Sequence, residues 1–318
     1  MNLFLTIVLF VTVLLFYLNW TEECKIGKDL EIYEMDYVNN DHLQDICKSK
    51  QPILFSLNLA DSHHLRTTEL TDLAEKYGKE YVHVSNPKTP IPLEYAIQLK
   101  DRGLSRKYEG VDEVFSKKDV AAVGGFLCED NHDFIMDTPL HHYYASVDEY
   151  LKPSGTLQTI YDMVFGQVTP LRFHRNRSMF LYAAKGELNI KLSPLKNIPV
   201  GKMGADGYVY PLGEWAEEDV SFLYMTVPED GCVFIPPYWW FSIDLQSSSK
   251  EEIPWMATFT YNTFMNRFVV TPLEWLERFQ TKRKQVHSDL EEEEEEEEGG
   301  VEESGPYPET DPVLSEYS

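Results

Sequence analysis

Residues 3 to 18 read LFLTIVLFVTVLLFYL, an apolar run interrupted only by Thr6 and Thr12, with Met1 and Trp20 extending it at its two ends. A run this apolar is poorly suited to a water-facing surface. At 1.5 Å per residue, about 18 to 20 helical residues cover roughly 27 to 30 Å, the hydrocarbon thickness of a bilayer. Tyr17 and Trp20 fall where interfacial aromatics belong. A cleaved signal peptide would carry basic residues before its apolar core and small residues after it. Here no Lys or Arg precedes the run, and Tyr17-Leu18-Asn19-Trp20-Thr21 are mostly bulky. Residues 1–20 are therefore expected to form an uncleaved single-pass transmembrane helix. Lys25 and Lys28 stand among Glu22, Glu23 and Asp29, so the positive-inside rule has no bias to act on. Sidedness stays open, as does the choice between a secretory endomembrane and a viral internal membrane. The two glycosylation sequons, at Asn19 and Asn176, are about as many as chance supplies and do not place the chain in a lumen.

The other end of the chain has the opposite character. Glu291 to Glu298 are eight successive glutamates, and residues 288–318 are expected to be a disordered acidic tail, because like charges repel and the segment has little to bury. Of the formal net charge of −25, 14 acidic residues lie from Asp289 onward with no basic one, which leaves −11 on the rest. A body with that balance cannot neutralise a phosphate backbone, so nucleic acid is excluded as a partner. The acidic run is a solubilising tail or, alternatively, a docking strip for a basic protein surface. The chain ends in SEYS, which is not an ER-retention or peroxisomal address. None of Cys24, Cys47, Cys128 and Cys232 forms a CxxC pair, so neither a zinc site nor a disulfide framework is indicated.

Between anchor and tail, residues 21–287 suffice for one large domain. Asn40-Asp41 ahead of Leu43, Ile46 and Cys47 predicts a short capped helix, and Pro52 opens a strand-like run over 53–59. Leu70, Leu73, Ala74 and Tyr77 keep helical spacing, with Gly78 as the stop. Residues 81–84 read as a strand, 86–118 as loop with some helix, and 147–151 as another short helix. From about residue 157 the pattern turns to β. Residues 179–184 and 187–192 flank Lys185-Gly186 as a hairpin would, and Leu188, Ile190 and Leu192 alternate, burying one face. Val220, Phe222, Tyr224 and Thr226 alternate too. Glu229-Asp230-Gly231 is a turn into a strand over 232–235, and 255–264 is a last strand. Thr271-Pro272-Leu273-Glu274 carries the signature of a helix start, predicting a helix over 271–286. Helices and short strands followed by β-rich sequence predict an α+β domain around a β-barrel or sandwich.

Residues 233–245 read VFIPPYWWFSIDL, preceded by the turn Pro228-Glu229-Asp230-Gly231. This stretch resembles the signature of the JmjC and cupin-like 2-oxoglutarate oxygenases, including their asparaginyl-hydroxylase-like branch, in which a turn leads a strand into IPP-x-WWH. Thr169-Pro170-Leu171, followed by Lys185-Gly186, is similar to that family's first ligand strand. Residues 258–264, TFTYNTF, resemble the strand after its distal ligand, and residues 33–57 resemble its usual lead-in. The resemblance covers about residues 30–280 and implies a double-stranded β-helix, the jelly-roll or cupin barrel, with flanking helices.

The same resemblance locates a chemistry that is missing. The family holds Fe(II) with two histidines and one carboxylate, leaving open positions for 2-oxoglutarate and oxygen. The positions of its His-x-Asp pair fall on Arg172 and His174, and its distal histidine falls on Phe241. A guanidinium has no lone pair to give and stays protonated; a phenyl ring has no donor at all. His174 is the only candidate ligand. A one-residue slip would substitute Phe173 and Arg175, which is no improvement. Leu188 stands where the family's 2-oxoglutarate lysine commonly lies. Thr169, Leu188, Trp239 and Asn262 are the implied lining of any remaining pocket. An inward Arg172 calls for an anion: an internal Asp or Glu is the simpler partner, a carboxylate or phosphate ligand the other. The remaining candidates for a rebuilt site, His63-His64, His141-His142, His132 with Asp133, and Asp244, read as surface or loop residues. The expectation is a catalytically inactive pseudoenzyme with a binding or structural role, using neither Fe(II) nor 2-oxoglutarate. The alternatives are an Fe(II)/2-oxoglutarate protein hydroxylase or demethylase with a rearranged site, and an interaction protein whose working part is the acidic tail. By analogy with related folds, the 271–286 helix could pair two copies.

Overall fold

In the computed structural model, residues 3–24, 30–57, 63–84, 89–102, 126–166, 168–204, 207–212, 220–246, 252–263 and 266–267 are described. The chain divides into two compact units, Met1–Glu274 and Trp275–Ser318. All described residues belong to the first. The predicted 271–286 helix and the 288–318 tail lie outside the described residues.

The N-terminal run forms helix α1 (Leu3–Cys24). Its described large apolar side chains, from Leu3 and Phe4 at 77% exposure to Tyr17 at 63%, stand exposed at consecutive positions and hence on every face. The described side chains of α1 cover residues 3–14 and 17, and among the described residues no helix is long and apolar enough to cross a membrane.

The body begins with β1 (Tyr33–Asp36), α2 (Asn40–Cys47), β2 (Ile53–Ser56), α3 (His63–Thr67), α4 (Leu70–Tyr77), β3 (Tyr81–Val84), β4 (Thr89–Pro92) and α5 (Leu93–Arg102). It continues with β5 (Leu127–Cys128), α6 (His132–Asp137), α7 (Leu140–Leu151), β6 (Thr156–Gly166), β7 (Ser178–Lys185) and β8 (Glu187–Pro194). The last strands are β9 (Val200–Met203), β10 (Val209–Pro211), β11 (Leu223–Val227), β12 (Gly231–Ile235), β13 (Trp239–Gln246) and β14 (Trp255–Thr263). Nine strands make one sheet in the order β1-β2-β12-β7-β14-β6-β5-β3-β4. A second sheet runs β11-β8-β13, and β10 pairs with β9. The fold is thus mixed α and β around one large sheet, and the described strands do not close into a barrel.

Three layers follow from strand alternation. On one side of the large sheet, Phe180, Tyr182 and Ala184 of β7 and Trp255, Ala257, Phe259 and Tyr261 of β14 pack with Leu43, Leu70, Leu73, Phe134, Tyr144 and Val147 of the helices. On the other side, Met179, Leu181 and Ala183 of β7 and Met256 of β14 meet Leu188, Ile190 and Leu192 of β8 and Trp239, Phe241 and Ile243 of β13. A sheet covered on both faces explains why β7 and β14 read as nearly continuous apolar runs.

Several local expectations take a different form. Lys185-Gly186 does not close a hairpin: β7 pairs with β12 and β14, whereas β8 pairs with β11 and β13. The turn carries the chain from one sheet to the other. Gly186 adopts φ +77, and a Cβ there would run into the Gln246 carbonyl, so only glycine fits. In β11 the buried side chains are Met225 and Val227, while Tyr224 and Thr226 face outward. Pairing with β8 selects this phase in a strand that is apolar on both. The cap of α2 is Asn39, whose side chain accepts from the His42 amide at 2.9 Å. Gly78 ends α4 in the right-handed region at φ −60, where a Cβ would collide with the Ala74 carbonyl. The helix predicted over 147–151 is the end of the twelve-residue α7, and the loop predicted after residue 86 includes β4 and α5.

Candidate functional site

The segment 168–174 lies along the free edge of β13. The Thr169 amide donates to the Ile243 carbonyl at 2.8 Å, and the Ile243 amide donates to Thr169 Oγ1 at 2.8 Å. Three residues after Thr169 and two before Ile243, Arg172 and Phe241 exchange both backbone hydrogen bonds, at 3.0 and 2.8 Å, and so stand directly opposite each other. On its other edge the segment is held by β10, where Phe173 and Val209 exchange bonds at 3.0 Å. The Tyr238 amide donates to the His174 carbonyl at 3.0 Å. With both edges paired, the register is set. Arg172, His174 and Phe241 turn into the space between the sheets, whereas Phe173 turns away to pack with Trp240, ring centroids 4.7 Å apart.

The three positions singled out from the sequence thus come together. The guanidinium centre of Arg172 lies 5.8 Å from the Phe241 ring, and the His174 and Phe241 rings are 6.2 Å apart. Arg172 is 1% exposed, and its charge is met inside the chain by Glu129, itself 4% exposed. Nη1 donates to Oε1 at 3.0 Å and Nη2 to Oε2 at 2.6 Å, the two-pronged geometry that suits a guanidinium to a carboxylate. Tyr208 covers the other side, with its ring centroid 3.8 Å from the guanidinium carbon. Burial disfavours the Arg172 charge. The Glu129 carboxylate and the nearby Tyr208 and Tyr210 outweigh it, and the guanidinium is held in its protonated form.

Glu129 reaches this position through a corner after β5. Its amide donates to the His83 carbonyl at 3.0 Å. Asp130 takes φ 65, a left-handed conformation that Asp tolerates better than most residues. The carboxylate of Asp162 on β6 then accepts the amides of Asp130 and Asn131 at 2.9 and 2.7 Å. Burial pushes Asp162 up to about 7 in spite of these two bonds, and the neighbouring Glu129 and Asp130 add to the rise. The Asn131 side chain donates to the Met163 carbonyl at 2.7 Å and tightens the corner further.

His174 is fully buried, and Nε2 lies 3.1 Å from the Ile235 carbonyl. A carbonyl only accepts, so Nε2 carries the proton. Among the described residues, Nδ1 has no hydrogen-bond partner within 3.5 Å and in good geometry. Burial lowers His174 to about 4; the backbone of Ile235 and Asn176 works against this, and the Arg172 charge adds to it. The imidazole is neutral at ordinary pH.

Of the other pocket candidates, Thr169 spends its hydroxyl on the Ile243 amide, and Leu188 and Trp239 are fully buried between the sheets. Trp240 packs in the cluster on the outer side, apart from Trp239 and Phe241. Asn262, near the end of β14, accepts from the Arg177 amide at 3.3 Å and donates to Asn176 Oδ1 at 2.9 Å. The other candidate histidines with described side chains contact different groups. His141 Nδ1 lies 2.8 Å from the Thr138 carbonyl, and its ring sits 3.8 Å from that of His142. His64 stacks on Tyr143, and His132 lies against Tyr161. Asp133 sits in the first turn of α6, and Asp244 accepts from Gln246 on β13. The side chain of His63 lies outside the described residues.

Arg172, His174 and Phe241 together offer a metal ion one donor atom, His174 Nδ1. At the three corresponding positions Arg172 is engaged with a carboxylate, Phe241 offers no donor, and His174 has only Nδ1 left. Among the described residues, no group of three or more His, Cys, Asp or Glu is placed to hold a metal ion. The residue that sequence reasoning missed is Glu129. An inward arginine signals that some carboxylate must answer it, but with 53 acidic residues in the chain nothing local marks this one. No family model matches this chain, and no curated protein matches it.

Proposed function

We propose that this chain is a membrane-anchored, catalytically inactive relative of the JmjC and cupin-like oxygenases, with a binding or structural role. In this reading the sheets described above are the two halves of a double-stranded β-helix, and α1 is its single-pass anchor in an endomembrane or viral internal membrane. The observation that carries it is the Arg172–Glu129 pair opposite Phe241. Where such an enzyme would place a divalent cation and its ligands, this chain has a guanidinium and a carboxylate that neutralise each other. A guanidinium can replace a metal as a cross-link between sheets, but it cannot bind oxygen or exchange ligands. The acidic run from Glu291 to Glu298 would remain available to a basic partner, and the 271–286 segment to a second copy.

Metal content and succinate release test the reading together. The full-length chain, purified in detergent and incubated anaerobically with Fe(II), then with 2-oxoglutarate and oxygen, is expected to keep far less than one equivalent of iron and to release no succinate above a protein-free blank. One equivalent of iron with 2-oxoglutarate turnover would establish instead a hydroxylase or demethylase with a rearranged site.

A further inference from the structure

The two halves of the buried ion pair come from independent parts of the fold. The arginine half is built by the 168–174 segment, β13 and Tyr208. Arg172 is fixed by paired backbone bonds to Phe241 at 3.0 and 2.8 Å, and its guanidinium rests 3.8 Å from the Tyr208 centroid. The carboxylate half arrives from the corner after β5, held by Asp162 at 2.9 and 2.7 Å. Nothing in the arginine half depends covalently on Glu129. It presents a planar, desolvated, two-pronged donor backed by an aromatic ring, which is the chemistry that recognises a carboxylate.

We propose that Arg172 and Tyr208 form a carboxylate receptor that the chain fills with its own Glu129, a site for small monocarboxylic acids that is closed in cis. In the intact chain Glu129 is tethered beside Arg172, so its effective concentration exceeds that of free acids at millimolar levels and the site stays shut. Removing the tethered group should open it. Glu129→Ala deletes a CH2–COO⁻ group, whose volume and charge acetate matches. This inference stands on the geometry of the pair alone. Finding iron in the native chain would overturn the family reading and would leave the acetate experiment to be judged on its own result.

The test uses the full-length E129A chain in detergent, titrated with sodium acetate at constant ionic strength, with acetamide as the uncharged control and thermal unfolding as the readout. Acetate is expected to raise the Tm of E129A saturably by several degrees, while acetamide leaves it unchanged. The native chain should not respond. E129Q, whose side chain still fills the space, should not respond either. R172M/E129A should lose the acetate effect, because the receptor is gone. Equal Tm values for E129A in acetate and acetamide would overturn the proposal, as would an undiminished acetate shift in R172M/E129A. If E129A does not fold by itself, refolding in the two solutes decides: a higher folded yield in acetate supports the receptor, and equal yields overturn it.

Discussion

Arg172 and Glu129 are buried at 1% and 4% exposure, which makes each costly to leave alone. Removing one partner of such a pair strands the other charge in a poorly solvated site and typically costs about 3–5 kcal/mol, whereas replacing both by apolar groups is often neutral or stabilising. R172M and E129L are therefore each expected to lose about 3–5 kcal/mol in denaturant unfolding, and R172M/E129L to recover most of that loss. Additive losses in the double variant would mean that the two side chains do not act as a unit. Proton linkage gives a second expectation at this scale. His174 stays neutral in the fold down to about 4, so its contribution is present above its ordinary value near 6.5 and is lost as pH falls toward 4. Asp162 has the opposite sign: it holds its proton up to about 7, so its contribution is complete below its ordinary value near 3.8 and disappears as pH rises toward 7. Between about pH 4 and 6.5 the two slopes oppose each other. D162N removes one of them, and its unfolding free energy should rise with pH across that window by up to about 1.4 kcal/mol per unit, more steeply than that of the native chain. Equal slopes in the two proteins would refute the assignment.

At the scale of elements, Gly186 is the joint between the large sheet and the small one. Its φ of +77 and the nearby Gln246 carbonyl leave no room for a side chain. Gly186→Ala is expected to destabilise the fold by about 1–3 kcal/mol, measured by thermal or denaturant unfolding. A neutral result would mean that the sheets are not joined there as described. The same turn shows where local sequence stops being informative. The alternation of Leu188, Ile190 and Leu192 is legible because one face of β8 must be buried, and α2, β2 and α4 were marked by Asn40-Asp41, Pro52 and the helical spacing of Leu70, Leu73 and Tyr77, although the cap of α2 is Asn39. Which strand β8 pairs with is not local information. A glycine turn between two strands looks the same whether it folds back into one sheet or crosses to another. The phase of β11 was hidden for a related reason: Phe222 and Tyr224 are as apolar as Leu223 and Met225, and only the neighbouring strand decides between them. That Arg172 and His174 share a face could be read from their spacing, since residues two apart do so, and that this face is the inner one was implied by the resemblance alone. Glu129 could not, because it arrives from a distant corner whose shape depends on Asp162.

At the scale of the whole chain, α1 and the body put opposite demands on the solvent. An α1 whose described side chains are apolar except for Thr6 and Thr12, and exposed on every face, is expected to hold the chain on a membrane, whereas the body carries its own cores. A chain lacking residues 1–24 should move from the carbonate-resistant membrane pellet to the supernatant while keeping the unfolding transition of the body. Retention of the shortened chain in the pellet would place the membrane contact elsewhere. The account as a whole depends on what occupies the space between the two sheets. Crystals of the body grown with excess Mn(II) and 2-oxoglutarate, with diffraction collected at the manganese edge, address this directly. The expected map shows the Arg172–Glu129 pair intact beside Phe241, with no anomalous peak near His174. A manganese peak within bonding distance of the His174 imidazole, with Glu129 turned toward the metal, would contradict it.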